Sequence, residues 1–182
     1  MKKNKNVAIF IALIILIAGI SGFIYGLNKN IDATEFIDTI KTNHSNLFIP
    51  HSFSIIIIFF STLALINVVS GTLIMSIEGS SIGFTLGVLF KNYKLNGLFF
   101  GVLTGIVNKL IFIILISYLF IISINYINKI IKNILGLKND YIRVLIKPLI
   151  MRFLIILGIS IINDTIIYFF GNMFLKNFIN ML

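Results

Sequence analysis

The stretch GSSIGFTLGVLFKNYKLNGLFFGVLTG, residues 79–105, carries the strongest fold signal in this 182-residue chain. It holds two sets of glycines at four-residue spacing, separated by the polar segment 91–94. Residues four apart share one face of a helix, so each set predicts a helix with a smooth backbone stripe. Such stripes let helices approach closely in lipid, where no hydrophobic drive acts between them. The stretch predicts a tight Gly-rich hairpin, with one stripe of Gly79, Gly83 and Gly87 and another of Gly97, Gly101 and Gly105.

The composition of the whole chain places this hairpin in a membrane. Hydrophobic residues make up 58% and charged residues 12% of the chain, whereas soluble domains hold about 45–50% apolar and about 25% charged residues. The net charge is +9, but the basic residues lie between apolar runs, which argues against a nucleic-acid-binding domain. The absence of cysteine excludes disulfides, thiolate metal sites and lipid attachment at Cys. We therefore expect an all-α, polytopic integral membrane protein whose first partner is the lipid bilayer.

The apolar runs predict a single membrane domain, residues 1–182, with about five transmembrane helices. A helix needs about 20 apolar residues to cross the ~30 Å hydrocarbon core, and one of the five segments is shorter than that. The predicted spans are residues 7–27, 53–75, 79–90, 97–124 and 148–175. Pro148 is expected in the first turn of the last span. An outer loop, 28–52, and an inner amphipathic loop, 126–147, contain most of the polar residues.

The distribution of basic residues predicts the orientation of the chain in the cell membrane. With the N-terminus in the cytoplasm and five crossings, the inner side holds eight basic residues, Lys2, Lys3, Lys5, Lys129, Lys132, Lys138, Arg143 and Lys147, and the outer side holds five, Lys29, Lys41, Lys91, Lys94 and Lys176. This excess inside follows the positive-inside rule. The isoleucines of the inner loop recur at helical spacing, which predicts a helix lying in the inner headgroups. Docking of a partner protein on that helix is the alternative.

Two ionisable residues, Lys109 and Asp164, lie well inside the fourth and fifth predicted spans, and Arg152 lies just inside the fifth. A charge near the bilayer centre costs at least ~2.5–3.5 kcal/mol. Because the two spans are antiparallel neighbours in sequence, we predict that Lys109 and Asp164 form an intramembrane charge pair. The pair would fix the register of the helices; a proton or ion pathway and an unpaired, snorkelling lysine are the alternatives.

The chain shows no sign of a catalytic or metal centre. His44 and His51 lie seven residues apart, with Asp38 nearby, but a metal site needs three or four convergent ligands. The sequence contains no nucleophile elbow and no phosphate-binding loop. We expect no enzyme, no metal and no cofactor.

The string Glu78-Gly79-Ser80-Ser81-Ile82-Gly83-Phe84-Thr85-Leu86-Gly87, followed by Gly97, resembles the core of the stage II sporulation protein M family. The resemblance is strongest over residues 75–115. It implies a non-enzymatic membrane scaffold in forespore engulfment, which localises membrane-anchored peptidoglycan-remodelling enzymes at the septum. From the residues alone, a glycine stripe could instead face a second copy in a homo-oligomer or a partner's span. The alternative function is a membrane subunit or accessory of a small ABC-type exporter, which would need a separate ATPase.

Overall fold

The computed structural model describes residues 2–32, 36, 48–102, 107–136 and 142–179. The side chains are described over residues 5–32, 36, 51–102, 109–136 and 146–166. Across the described residues the chain forms five helices and no strand: α1 Lys2–Asn28, α2 Phe48–Leu63, α3 Asn67–Gly101, α4 Val107–Ile134 and α5 Ile142–Ile179. Four of them, all except α2, contain a segment long and apolar enough to cross a membrane. The all-α class is confirmed for the described residues, and the four apolar helices are consistent with the expected multi-pass membrane protein.

Helix α3 reverses direction at Lys94, where the backbone leaves the helical region with φ 53° and ψ −129°. A Cβ built on Gly101 would lie 2.9 Å from the side chains of Leu86 and Leu89. In an unbroken helix Gly101 would instead lie about 22 Å beyond Leu86. Helix α3 therefore has two arms, residues 67–93 and 95–101, and the second arm returns along the first.

A second reversal separates α2 from α3 at residues 64–66. The Ile66 N–H donates to the Ser61 carbonyl at 2.9 Å, and the Leu65 N–H donates to the Thr62 carbonyl at 3.2 Å. Together with φ 63° at Leu65, these bonds form a Schellman motif, which usually has glycine at the left-handed position. The predicted second span, 53–75, is therefore broken at this turn. The predicted short segment 79–90 lies within the first arm of α3, which is 27 residues long (67–93).

Contacts between the helices give their relative directions. Along α1 and α3 the contacting positions rise together, from Ile15 against Gly79 to Phe23 against Gly87, so these two helices are parallel. The other contacts are His51 with Phe112 and Asp164, Thr62 with Ser123, Phe59 with Phe153, Glu78 with Lys109, and Gly71 with Phe120. They place α2 parallel to α4 and antiparallel to α5, and α4 antiparallel to α3. Successive helices therefore alternate in direction.

Helix α2 begins deep inside the bundle. Its residue His51 stacks on Phe112, which lies one turn beyond Lys109 on α4. Lys109 is level with Glu78, and Glu78 lies about 22 Å along α3 from Tyr93 at helical rise. The predicted outer loop 28–52 therefore does not stay outside, since its last residues start a helix near mid-bundle. With 16 residues, α2 rises about 24 Å, less than the ~30 Å hydrocarbon core.

The inner loop also differs from its prediction. Helix α4 runs without a break to Ile134, and Tyr126, Ile127 and Ile130 are buried in the core. Ile127 and Ile130 therefore face α4's neighbours, whereas Ile131 and Ile134 of the same predicted face are exposed. Gly136, with φ 69°, follows the end of this helix. Pro148 lies inside α5, which begins at Ile142, and not in the first turn.

The core lies where α2, α4 and α5 meet. Its most enclosed members are Ile55 and Ile58 on α2 and Phe112, Ile116, Leu119 and Phe120 on α4. Large apolar side chains such as Ile17, Phe60, Ile77 and Leu154 point outward and are more than half exposed. An apolar exterior around a packed centre is the arrangement that a lipid solvent requires. The polar groups inside this bundle are therefore the residues to explain.

Candidate functional site

One intramembrane ion pair joins α3 and α4. Lys109 Nζ donates to Glu78 Oε2 at 3.2 Å and to Ser81 Oγ at 2.7 Å. The two ionisable side chains are 21% and 14% exposed, so the pair lies at the edge of the packed interior. Because the Lys109 ammonium group already has two oxygen acceptors inside the bundle, it need not extend to the membrane surface. A carboxylate with an ammonium partner is likewise tolerated at membrane depth. The contact also ties the two antiparallel helices at one register.

A second pair joins α2 and α5 on another side of α4. His51 Nδ1 lies 2.9 Å from Asp164 Oδ1, and the two side chains are 2% and 1% exposed. An ionised carboxylate only accepts hydrogen bonds, so Nδ1 carries the proton whenever Asp164 is charged. The imidazole ring stacks on Phe112 with centroids 3.8 Å apart. Because Phe112 follows Lys109 by three residues, both pairs lie within about one helical turn along α4.

The predicted pairing of Lys109 with Asp164 is wrong, because each residue has a different partner. The Lys94 reversal explains the first choice: Glu78 lies 16 residues before Lys94 and Lys109 lies 15 residues after it, so the two arms bring them level. The start of α2 inside the bundle explains why Asp164 pairs with His51, since it places this histidine beside the carboxylate. The near-equal spacing of Glu78 and Lys109 from Lys94 was a signal in the sequence for the first pair, whereas no comparable spacing pointed to His51 as the partner of Asp164.

Three buried oxygens near the second pair have no hydrogen-bond partner among the described residues: Asp164 Oδ2, Ser160 Oγ and Ser52 Oγ. Ser160 lies one turn before Asp164 on the same face of α5, and Ser52 follows His51 on α2. Unpaired polar atoms are costly in an apolar interior. Three of the four such side-chain atoms that the structure describes therefore lie on Asp164 or within about one helical turn of the pair along α2 and α5.

The first set of predicted glycines packs against α1, whereas we expected it to face the second set. A Cβ at Gly79 would lie 2.8 Å from the Ile15 carbonyl oxygen, and Cβ atoms at Gly83 and Gly87 would overlap the carbonyls of Gly19 and Phe23. From the other side, Gly22 and Gly26 of α1 approach the carbonyls of Ser80 and Phe84 just as closely. We call this contact the glycine seam, and it joins two parallel helices backbone to backbone.

The second glycine set lies beside the Lys94 reversal. A Cβ at Gly97 would overlap the Leu89 carbonyl, and Gly101 faces the side chains of Leu86 and Leu89. Gly105 lies outside the described residues. These glycines therefore let the second arm of α3 return close to the first.

The described part of the chain contains no group of three or more His, Asp or Glu side chains that could hold a metal ion. His44 and Asp38 lie outside it. No protein-family model, curated protein or solved structure matches the chain. What the described site can do must therefore come from its own chemistry: two buried or half-buried ion pairs, which can hold helices in register or hold protons.

Proposed function

We propose that this chain is a non-enzymatic membrane scaffold that docks other membrane-anchored proteins. The resemblance of residues 78–97 to the sporulation family suggests that these are peptidoglycan-remodelling proteins at the septum. One observation carries the proposal: a groove that opens toward lipid between α1 and the first arm of α3. Its position beside the rigid glycine seam gives a partner helix a fixed surface to pack on.

The groove has the composition that transmembrane helix partners prefer. Ser76 and Ser80 lie four residues apart in it, with Tyr25 and Phe84 at its rim and Leu73 and Ile77 alongside. Small residues at four-residue spacing allow close helix approach in lipid, and serine hydroxyls can bond across such a contact. The Ser76 hydroxyl already donates to the Thr72 carbonyl, so its cost of exposure to lipid is low until a partner arrives. These features favour a docked helix over a small-molecule substrate.

We further propose that the protein sits in the cell membrane with its N-terminus in the cytoplasm and that the chain crosses the membrane five times. The alternating helix directions support this, as do the basic residues on the two sides of the membrane. A non-enzymatic role is supported by the size of the segment 28–52, which is too short to fold a catalytic domain.

Site-specific photo-crosslinking in sporulating cells tests the scaffold. A photoreactive residue at Ser80, inside the groove, should crosslink to membrane-anchored peptidoglycan-remodelling proteins. The matched control at Ile17, 65% exposed on α1, should crosslink to lipid. Identical products at both positions would contradict docking in the groove. Deleting the gene should block or slow engulfment after the polar septum forms, without affecting vegetative growth.

The alternative, a membrane subunit of an exporter, is favoured by the two ion pairs. Ionisable residues in membrane spans often mark substrate or proton pathways, and four such residues lie on four different helices at similar depth. A neighbouring ATPase gene would support this alternative. Normal engulfment in the deletion strain, together with altered sensitivity to a peptide or antibiotic, would decide in its favour.

A further inference from the structure

The pair of His51 and Asp164 occupies the most enclosed ionisable position among the described residues. Both side chains are at least 98% buried. The ring of Phe112 covers one face of the imidazole. A buried ion pair recovers its desolvation cost only when further hydrogen bonds satisfy its remaining lone pairs. Here one carboxylate oxygen, Oδ2, has no such bond to any described residue, so the site is built for more than a fixed salt bridge.

The unpaired Oδ2 defines where an additional proton can bind. With one proton between His51 Nδ1 and Asp164 Oδ1 and none on Nε2, the imidazole is neutral and the pair carries the single negative charge of the carboxylate. A second proton on Oδ2 turns the carboxylate into a carboxylic acid and leaves the Nδ1–Oδ1 contact in place. The acid then carries an O–H donor at Oδ2, an atom that accepts no hydrogen bond from any described residue in the charged form.

Other charges near the pair are few and already engaged. On α4, Lys109 lies one turn from Phe112, but its ammonium group is bound to Glu78 of α3 and to Ser81. Helix α1 carries its lysines near its N-terminal end, and Lys29 follows its last residue. On α5, Arg152 lies three turns from Asp164 and is exposed. A change of protonation at the pair is therefore not compensated by another described charge in contact with it.

We propose that His51 and Asp164 form a proton-binding site in the interior of the bundle, with a single proton as its ligand. A metal cation would need more carboxylate or imidazole ligands than the described site offers. The site joins the buried start of α2 to α5, so uptake of a proton changes the charge that holds these two helices together. This inference does not rest on the scaffold function, and either can fail without the other.

Nitrogen NMR of the histidine ring tests the site directly. The chain has two histidines, so the full-length His44→Gln variant, labelled with ¹⁵N-histidine and reconstituted in bilayers, shows the ring of His51 alone. We expect its ring-nitrogen shifts to change when the pH is varied from about 9 to about 5, because the proton taken up binds the carboxylate to which the ring is hydrogen-bonded. A spectrum without pH dependence over this range would overturn the proposal.

Two further variants separate a proton-binding pair from an ordinary histidine. Asp164→Asn keeps the size of the side chain and removes the carboxylate, so the pH midpoint of the His51 ring should move. Glu78→Gln makes the same chemical change in the neighbouring pair and should leave the midpoint in place. If Asp164→Asn titrates like its parent, the carboxylate is not part of the site. If Asp164→Asn fails to fold, infrared spectra of the parent and of Glu78→Gln replace this comparison. Absence of a protonated carboxyl band from both spectra would overturn the proposal.

Discussion

Replacing Gly83 with alanine should destabilise the bundle, although alanine is the better helix former. In an exposed helix the change would favour folding by about 1 kcal/mol. In the glycine seam the new methyl group would overlap the Gly19 carbonyl and crowd the Phe23 backbone nitrogen at 2.9 Å. Neither backbone group can move without separating α1 from α3, so the overpacking cost should lie near the upper end of the usual ~1–3 kcal/mol. We expect a net loss of about 2 kcal/mol, or roughly 30-fold in the ratio of folded to unfolded protein.

Gly158→Ala is the matched control for this experiment. Gly158 also lies inside a helix, but nothing lies within 4 Å of a Cβ built on it. This substitution should therefore stabilise the protein by about 0.5–1 kcal/mol. Unfolding of both variants by SDS in mixed micelles, followed by circular dichroism, measures the difference. Equal effects of the two substitutions, or a stable Gly83→Ala protein, would refute the seam as a backbone contact.

Three further predictions concern the ion pair, the α2–α3 turn and the topology. Lys109→Leu or Glu78→Leu alone should lower the free energy of unfolding by about 3 kcal/mol, because each leaves an unpaired charge in the membrane. The double variant should be closer to the wild type. SDS unfolding in a double-mutant cycle measures the coupling, and additive losses would exclude the pair. Leu65→Gly should stabilise the protein by about 1 kcal/mol in the same assay, because leucine is strained at φ 63°; a destabilised variant would show that the leucine side chain matters more than the strain. A cysteine at Lys138 should react with a membrane-impermeant maleimide only after the cells are opened, and one at Asn30 should react in intact cells; the opposite pattern would reverse the proposed orientation.

The all-α class and the apolar helices long enough to cross a membrane followed from the sequence, because apolar runs are local properties. The position of the α2–α3 turn did not, since Leu65 takes a conformation that glycine normally marks. An apolar residue there made residues 53–75 look continuous. Gly136, by contrast, is a glycine at the left-handed position just after the end of α4.

Partners across the bundle were harder to predict than the residues themselves. Lys109 and Asp164 were recognised as needing partners, but pairing depends on which helices touch and at what depth. His51 seemed to belong to an outer loop, because the polar residues before it hid the start of α2. The glycine stripe on residues 79–87 was recognised, yet its partner α1 carries its own glycines among isoleucines at distant positions. Long-range neighbours of this kind leave little trace in one sequence.

The glycine seam also has a consequence for how the protein is made. Gly19 and its partner Gly83 are separated by 64 residues, so α1 leaves the ribosome well before α3 exists. At about 5–20 residues per second, synthesis of that interval takes roughly 3–13 s. During this time the glycine stripe of α1, formed by Gly19, Gly22 and Gly26, is exposed to any helix nearby in the membrane. Another nascent copy carries the same stripe, so faster insertion of α3 should protect the new chain from self-association.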